Sequence, residues 1–108
     1  MTSKDELKQV NIKIQSKQRT MSGCEDSALL IDTILSMTKL LKRSLNKVYP
    51  DNSDTKSFSV ALLAMVADLT SIKAEIQDVA SETADEMYEL ETKAKELKGE
   101  NHAELGEE

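Results

Sequence analysis

From Phe58 onward the apolar residues return every four and three positions: Phe58, Leu62, Met65, Leu69, Ile72, Ile76, Val79, and then Thr83. A helix turns about 100° per residue, so this spacing keeps them on one side. Sustained over several repeats, it is the seam of a helix that packs lengthwise against another helix. The next step is four again, to Met87, and Leu90, Ala94 and Leu97 follow. Two successive steps of four predict a stutter at Thr83, where a left-handed supercoil locally unwinds. Gly99 is placed to end this helix. That leaves residues 1–98 as a single helical-hairpin domain and residues 99–108 as a flexible acidic tail.

A partner helix is available upstream. In residues 26–48, Leu30, Ile34, Met37, Leu41, Leu45 and Val48 share one face, widened by Ile31, Leu35 and Leu40. Tyr49-Pro50 stops this helix, because the residue before proline disfavours the α region. "YPDNSD" reads as a turn, with Ser53 or Asp54 able to cap the next helix. The amino-terminal segment fits two spacings. Val10, Ile12 and Ile14 alternate like a strand, whereas Leu7, Val10, Ile14, Met21 and Cys24 step like a helix with Lys17 as a flaw. No second strand exists to pair with the first, and a lone strand is unstable, which favours helix. Gly23 interrupts or kinks that helix, and Ser22 with Glu25 has the spacing of a capping box for a fresh start. With three Gly and one Pro in 108 residues, turns are too few for a many-stranded sheet. The fold class is all-α: an antiparallel helical hairpin with long coiled-coil-like arms, or a three-helix bundle if the chain folds over at Gly23.

Charge favours the closed hairpin. Residues 1–48 carry nine Lys/Arg against five Asp/Glu, and residues 82–108 carry three against ten. Folding back near residue 51 brings Lys13 near Glu89 and Lys17 near Asp85 and Glu86. Each exposed pair contributes only about 0–1 kcal/mol, so charge selects the arrangement more than it holds it.

The stretch "FSVALLAMVADL", residues 58–69, exceeds what a hairpin covers. Phe58, Leu62, Met65 and Leu69 occupy one side. Val60, Leu63, Ala64 and Ala67 point elsewhere, and these four are the candidate protein interface. An apolar second face calls for a third helix, a second copy or a protein partner.

The residues that carry chemistry are sparse. One cysteine, Cys24, allows no internal disulfide, and with His102 as the one histidine no four-ligand zinc site can be built from Cys and His. Glu75, Asp78, Glu82, Asp85, Glu86 and Glu89 read as a solvated face, because a di-iron bundle would add Glu-x-x-His pairs. Gly23, Gly99 and Gly106 form no phosphate loop. No nucleophile–base–orienter set is present. The expectation is therefore no enzyme, no metal, no cofactor and no small-molecule substrate. A net charge of −6 argues against nucleic acid. The run 58–69 is shorter than the roughly 20 residues a bilayer requires. The opening "MTSKDELKQVNIKIQSKQ" lacks the apolar core of a signal peptide, which suggests a cytoplasmic protein or one exported without a cleaved signal.

An acidic chain near 100 residues, folded as two long helices about a short central turn, resembles the WXG family of small hairpin proteins of type VII secretion. It is also similar to the helical partners of LXG toxins. The resemblance covers residues 11–97, from "NIKI" to the end of the second helix, at the level of architecture. The turn reads "YPDNS" where Trp-x-Gly would stand, and Tyr88 has Thr92 four residues on where the export motif has an acid. No functional residue is carried over. The resemblance implies dimerisation and the escort or co-secretion of a partner. The expected function is a non-enzymatic helical interaction module. The alternatives are a coiled-coil assembly subunit and a small immunity or inhibitor protein.

Overall fold

The computed structural model describes residues 2–106, with side chains described through Glu100. It is an all-α helical hairpin: α1 spans Ser3–Val48, a turn follows, and α2 spans Ser53–Gly106. Among the described residues there is no strand.

The helix ends follow from local chemistry. Thr2 caps α1: its Oγ1 accepts the Asp5 N–H at 3.2 Å and donates to Asp5 Oδ2 at 2.9 Å. This is an N-cap threonine whose hydroxyl also bonds the acid three residues on. α1 stops at Val48, one residue before Tyr49-Pro50, as expected. The cap of α2 is neither Ser53 nor Asp54 but Asn52, whose Oδ1 accepts from the backbone of Asp54 at 2.8 Å and of Thr55 at 3.3 Å. Asn is among the best capping residues, and its position immediately before the first helical residue satisfies two otherwise orphaned donors.

Two expectations about glycine are overturned. α1 is helical through Gly23, so residues 3–22 form no separate third helix and the Ser22–Glu25 box is not used. Gly23 has no positive φ, and an added Cβ would meet nothing within 4 Å. It is an ordinary helical residue there, costing about 0.5–1 kcal/mol relative to Ala, which the flanking turns outweigh. α2 likewise continues through Gly99 to Gly106. A glycine ends a helix only when it adopts the left-handed region, and Gly99 does not. Glu107, Glu108 and the side chain of His102 lie outside the described residues.

The chain divides into two compact units. The first combines residues 1–24 with residues 79–108. Its core is Val10, Ala94 and Leu97, with Leu7, Ile14 and Leu90 packed against it. The packing is antiparallel, with Leu7, Val10 and Ile14 of α1 against Leu90, Ala94 and Leu97 of α2. Ser3 Oγ donates to Glu100 Oε2 at 3.0 Å, and Lys17 pairs with Glu86 as the charge pattern predicts. Lys17, the flaw in the sequence pattern, is a half-buried seam residue whose ammonium reaches out to the carboxylate.

The second unit is Glu25–Asp78. Ile31 and Leu62 are its buried apolar side chains, joined by Thr38, Thr55 and Ser59. The Thr38 hydroxyl donates to the Ile34 carbonyl at 2.8 Å, which satisfies it inside the seam. Lys73 also sits in the seam and donates to Asp32 Oδ1 at 2.6 Å.

The residues of low exposure define the seam of each helix. On α1 they include Val10, Ile14, Lys17, Met21, Cys24, Ala28, Ile31, Leu35, Thr38, Lys42 and Leu45. On α2 they include Thr55, Ser59, Leu62, Val66, Leu69, Lys73, Ile76, Ala80, Thr83, Met87, Leu90, Ala94 and Leu97. Both alternate steps of four and three without a break. The stutter expected at Thr83 is therefore absent. Half of the expected α2 seam, Leu62, Leu69, Ile76 and Thr83, is correct. The other half, Phe58, Met65, Ile72 and Val79, is exposed, and the residue after each takes its place. The expected α1 face fares similarly: Leu30, Met37, Leu41 and Val48 are exposed, and Ile31, Thr38, Lys42 and Leu45 face inward.

Candidate interaction surface

Each displaced apolar residue immediately precedes a seam residue. Leu30 precedes Ile31, Ile34 precedes Leu35, Met37 precedes Thr38, and Leu41 precedes Lys42. On α2, Phe58 precedes Ser59, Met65 precedes Val66, and Ile72 precedes Lys73. At about 100° per residue this is a second stripe, turned a quarter revolution from the seam. In an antiparallel pair the residues preceding the seam fall on the same edge of both helices. Unit Glu25–Asp78 therefore has one apolar edge built from α1 and α2 together.

Among the described residues fifteen large hydrophobic side chains are exposed, and three of them, Ile12, Val79 and Tyr88, belong to the other unit. The remaining twelve lie in Glu25–Asp78. Scattered surface hydrophobics need no explanation, but a concentration of this kind marks an interaction surface. Apart from Val79, the α2 stripe positions of the other unit carry charge instead, at Glu82, Glu86, Glu89, Lys93 and Glu96, and those of α1 hold no large apolar residue.

The four residues singled out from sequence lie on a different part of α2. Val60, Leu63, Ala64 and Ala67 are all exposed, Val60 at 66% and Leu63 at 52%. Val60, Leu63 and Ala67 follow seam residues rather than preceding them, which puts them on the opposite edge. There the α1 positions at the same level that follow seam residues are Lys39, Arg43 and Asn46, so the patch is apolar on α2 alone. The edge that is apolar on both helices was hidden in the sequence because its residues read as core. The signal that finds it is the second unbroken count of four and three, through Thr55, Ser59, Leu62, Val66 and Leu69.

α2 also carries a stretch long and apolar enough to cross a membrane by length and composition, nearly all of it exposed. The shorter run considered from sequence ends at Leu69. Beyond it Thr70, Ser71, Ile72 and Ala74 extend the weakly polar stretch, in which Asp68 and Lys73 are charged.

The remaining chemistry is modest. Among the described residues no group of three or more His, Cys, Asp or Glu is placed to hold a metal ion. Cys24 is a free, half-buried thiol in the α1 seam. The depressions beside Lys13, Lys17, Glu86 and Lys93, and beside Lys39, Lys42 and Arg43, lie open to solvent. Comparison with protein-family models, with curated proteins and with solved structures finds no match to this chain.

Proposed function

We propose that the chain is a non-enzymatic helical interaction module that binds another protein surface through the exposed apolar residues of Glu25–Asp78. The observation that carries this reading is the asymmetry between the units. Among the described residues, twelve of fifteen exposed large hydrophobics fall in one of them, on helices that already have a complete seam. Those side chains remain between 45% and 68% exposed in the hairpin, and water contact with that surface costs about 25 cal/mol per Å². In its most concrete form, suggested by the resemblance to WXG proteins and LXG partners, the module escorts a larger protein to secretion.

The test is a pair of measurements on the purified chain: its mass over a range of concentrations, and the fluorescence of an apolar dye. A molecule with this surface either associates or binds the dye. Leu30→Lys with Met65→Lys is expected to reduce both signals while the far-ultraviolet helix signal stays. A monomer that leaves the dye dark refutes the reading. Leu63→Lys in the same assays reads whether the opposite α2 patch takes part.

A further inference from the structure

We infer that the apolar stripe of α1 receives a second copy of this chain, laid antiparallel about a two-fold axis near Leu35 and Ser36. This rests on the interaction-module reading and names its partner.

Three features of Glu25–Asp78 point to self-pairing. The first is the form of the stripe. Leu30, Ile34, Met37 and Leu41 alternate steps of four and three, and Val48 continues the count with Ser44 as its one polar member. Such a row accepts a helix along its length. The corresponding row of α2 is interrupted by Asp68 and Glu75, so the contact centres on α1. With the axis near residue 36, Leu30 of each copy meets Leu41 of the other, and Ile34 meets Met37. Every apolar member of the central layers faces an apolar member. This is the self-complementarity that a two-fold interface requires.

The second feature is charge. Glu25, Asp26 and Asp32 lie on the amino-terminal side of that midpoint, and Lys39, Lys42, Arg43 and Lys47 lie on the carboxy-terminal side. The sign changes where the apolar count is centred. An antiparallel copy sets each acidic end beside a basic one, and a parallel copy would set like beside like. Asp26 and Lys47 border the stripe and come within direct reach of each other across the axis. Glu25, Asp32, Lys39 and Arg43 follow seam residues and lie on the opposite edge, so the contrast at the stripe itself rests on Asp26 and Lys47.

The third feature is area. Leu30, Met37, Leu41, Val48, Phe58 and Met65 are each between 45% and 64% exposed. At roughly 100 Å² apiece they offer on the order of 600 Å², close to the ~800 Å² per partner of a standard interface. Flanking side chains supply the difference.

The test uses the full chain. Sedimentation equilibrium is expected to give twice the monomer mass of 12.0 kDa at micromolar concentration. Leu30→Glu with Leu41→Glu sets carboxylate against carboxylate and is expected to weaken association at least about a hundredfold. Should that variant fail to fold, the charge pair supplies an independent arm. Asp26→Lys is expected to weaken association up to about tenfold, and adding Lys47→Asp to restore it. Orientation is read with Cys24→Ser chains carrying either Leu30→Cys or Leu41→Cys. On mixing and oxidation the mixed disulfide should dominate, and dominance of the two like-with-like disulfides overturns the proposal. A parent that stays monomeric at every concentration also overturns it. If that monomer lights an apolar dye, the interaction-module reading stands with another occupant, and co-sedimentation with anionic vesicles would make that occupant a lipid surface. If the dye stays dark, both readings fall together.

Discussion

Leu62 and Leu63 are neighbours of the same type on the same helix, yet Leu62 is 4% exposed and Leu63 is 52% exposed. Truncating each to Ala isolates burial from helix propensity, because the same substitution is made one residue apart. A fully buried Leu→Ala costs about 2.7–5.0 kcal/mol, and the cost grows with the cavity left behind. No side chain with relative exposure below 2% occurs among the described residues, so the two-helix layer can relax around the gap. The low end applies, and Leu62→Ala is expected to cost about 2–3 kcal/mol. At Leu63 half of the side chain is in water before and after unfolding, which leaves about 0.5–1 kcal/mol. For a chain of this size the difference amounts to roughly 10 °C in melting temperature. Urea unfolding monitored at 222 nm, together with thermal melts at matched concentration, reads it directly. Leu63 lies on the edge opposite the α1 stripe, so self-association does not blur the comparison. Equal losses at the two positions, or a larger loss at Leu63, would show that the seam does not follow the count through Ser59, Leu62 and Val66.

Three further outcomes follow from the seam and the caps. Gly23→Ala is expected to stabilise the chain by about 0.5–1 kcal/mol, since the added Cβ meets nothing within 4 Å and the residue is helical; a drop in the melting temperature would contradict an unbroken α1. Asn52→Ala removes the acceptor for two backbone donors and is expected to cost about 1 kcal/mol in chemical denaturation, whereas Ser53→Ala should be nearly silent. Ser59→Ala deletes a buried hydroxyl that has no hydrogen-bond partner and is expected to be neutral or stabilising by up to about 1 kcal/mol, so a clear destabilisation in the same assay would reveal a bond to that oxygen.

The class of the fold is legible in the residues because helical periodicity is a local property. So is the turn: Pro50 excludes continuation of α1, and the Asn and Asp around it favour caps and turns. The rotation of each helix about its own axis is not local. Phe58, Met65, Ile72 and Val79 make a more hydrophobic row than Ser59, Val66, Lys73 and Ala80 do, and hydrophobicity alone selects the first. The polar members of the real seam are tolerable for reasons that appear only in three dimensions. Thr38 and Thr83 return their hydroxyls to the carbonyls four residues back, at 2.8 and 2.7 Å, and Lys73 reaches out of the seam to Asp32. Gly23 and Gly99 misled for a related reason, because a glycine allows the left-handed region without requiring it.

Why the seam passes through the poorer row can be argued from the other unit. A helix can move its buried stripe by one residue only through an insertion in the heptad count, which locally unwinds the supercoil. In residues 80–100 the row preceding the seam is Glu82, Glu86, Glu89, Lys93 and Glu96, and it cannot be buried without desolvating charge. The row that can be buried there is Ala80, Thr83, Met87, Leu90, Ala94 and Leu97. Counting back from it in steps of three and four without insertion reaches Ile76, Lys73, Leu69, Val66, Leu62, Ser59 and Thr55. The same count on α1 leads from Val10 and Ile14 to Ile31, Thr38 and Leu45. The residues that must be buried in one unit thus fix the phase of both helices. The richer row of Glu25–Asp78 is the one the hairpin cannot cover without a break, and its apolar side chains are left for another surface.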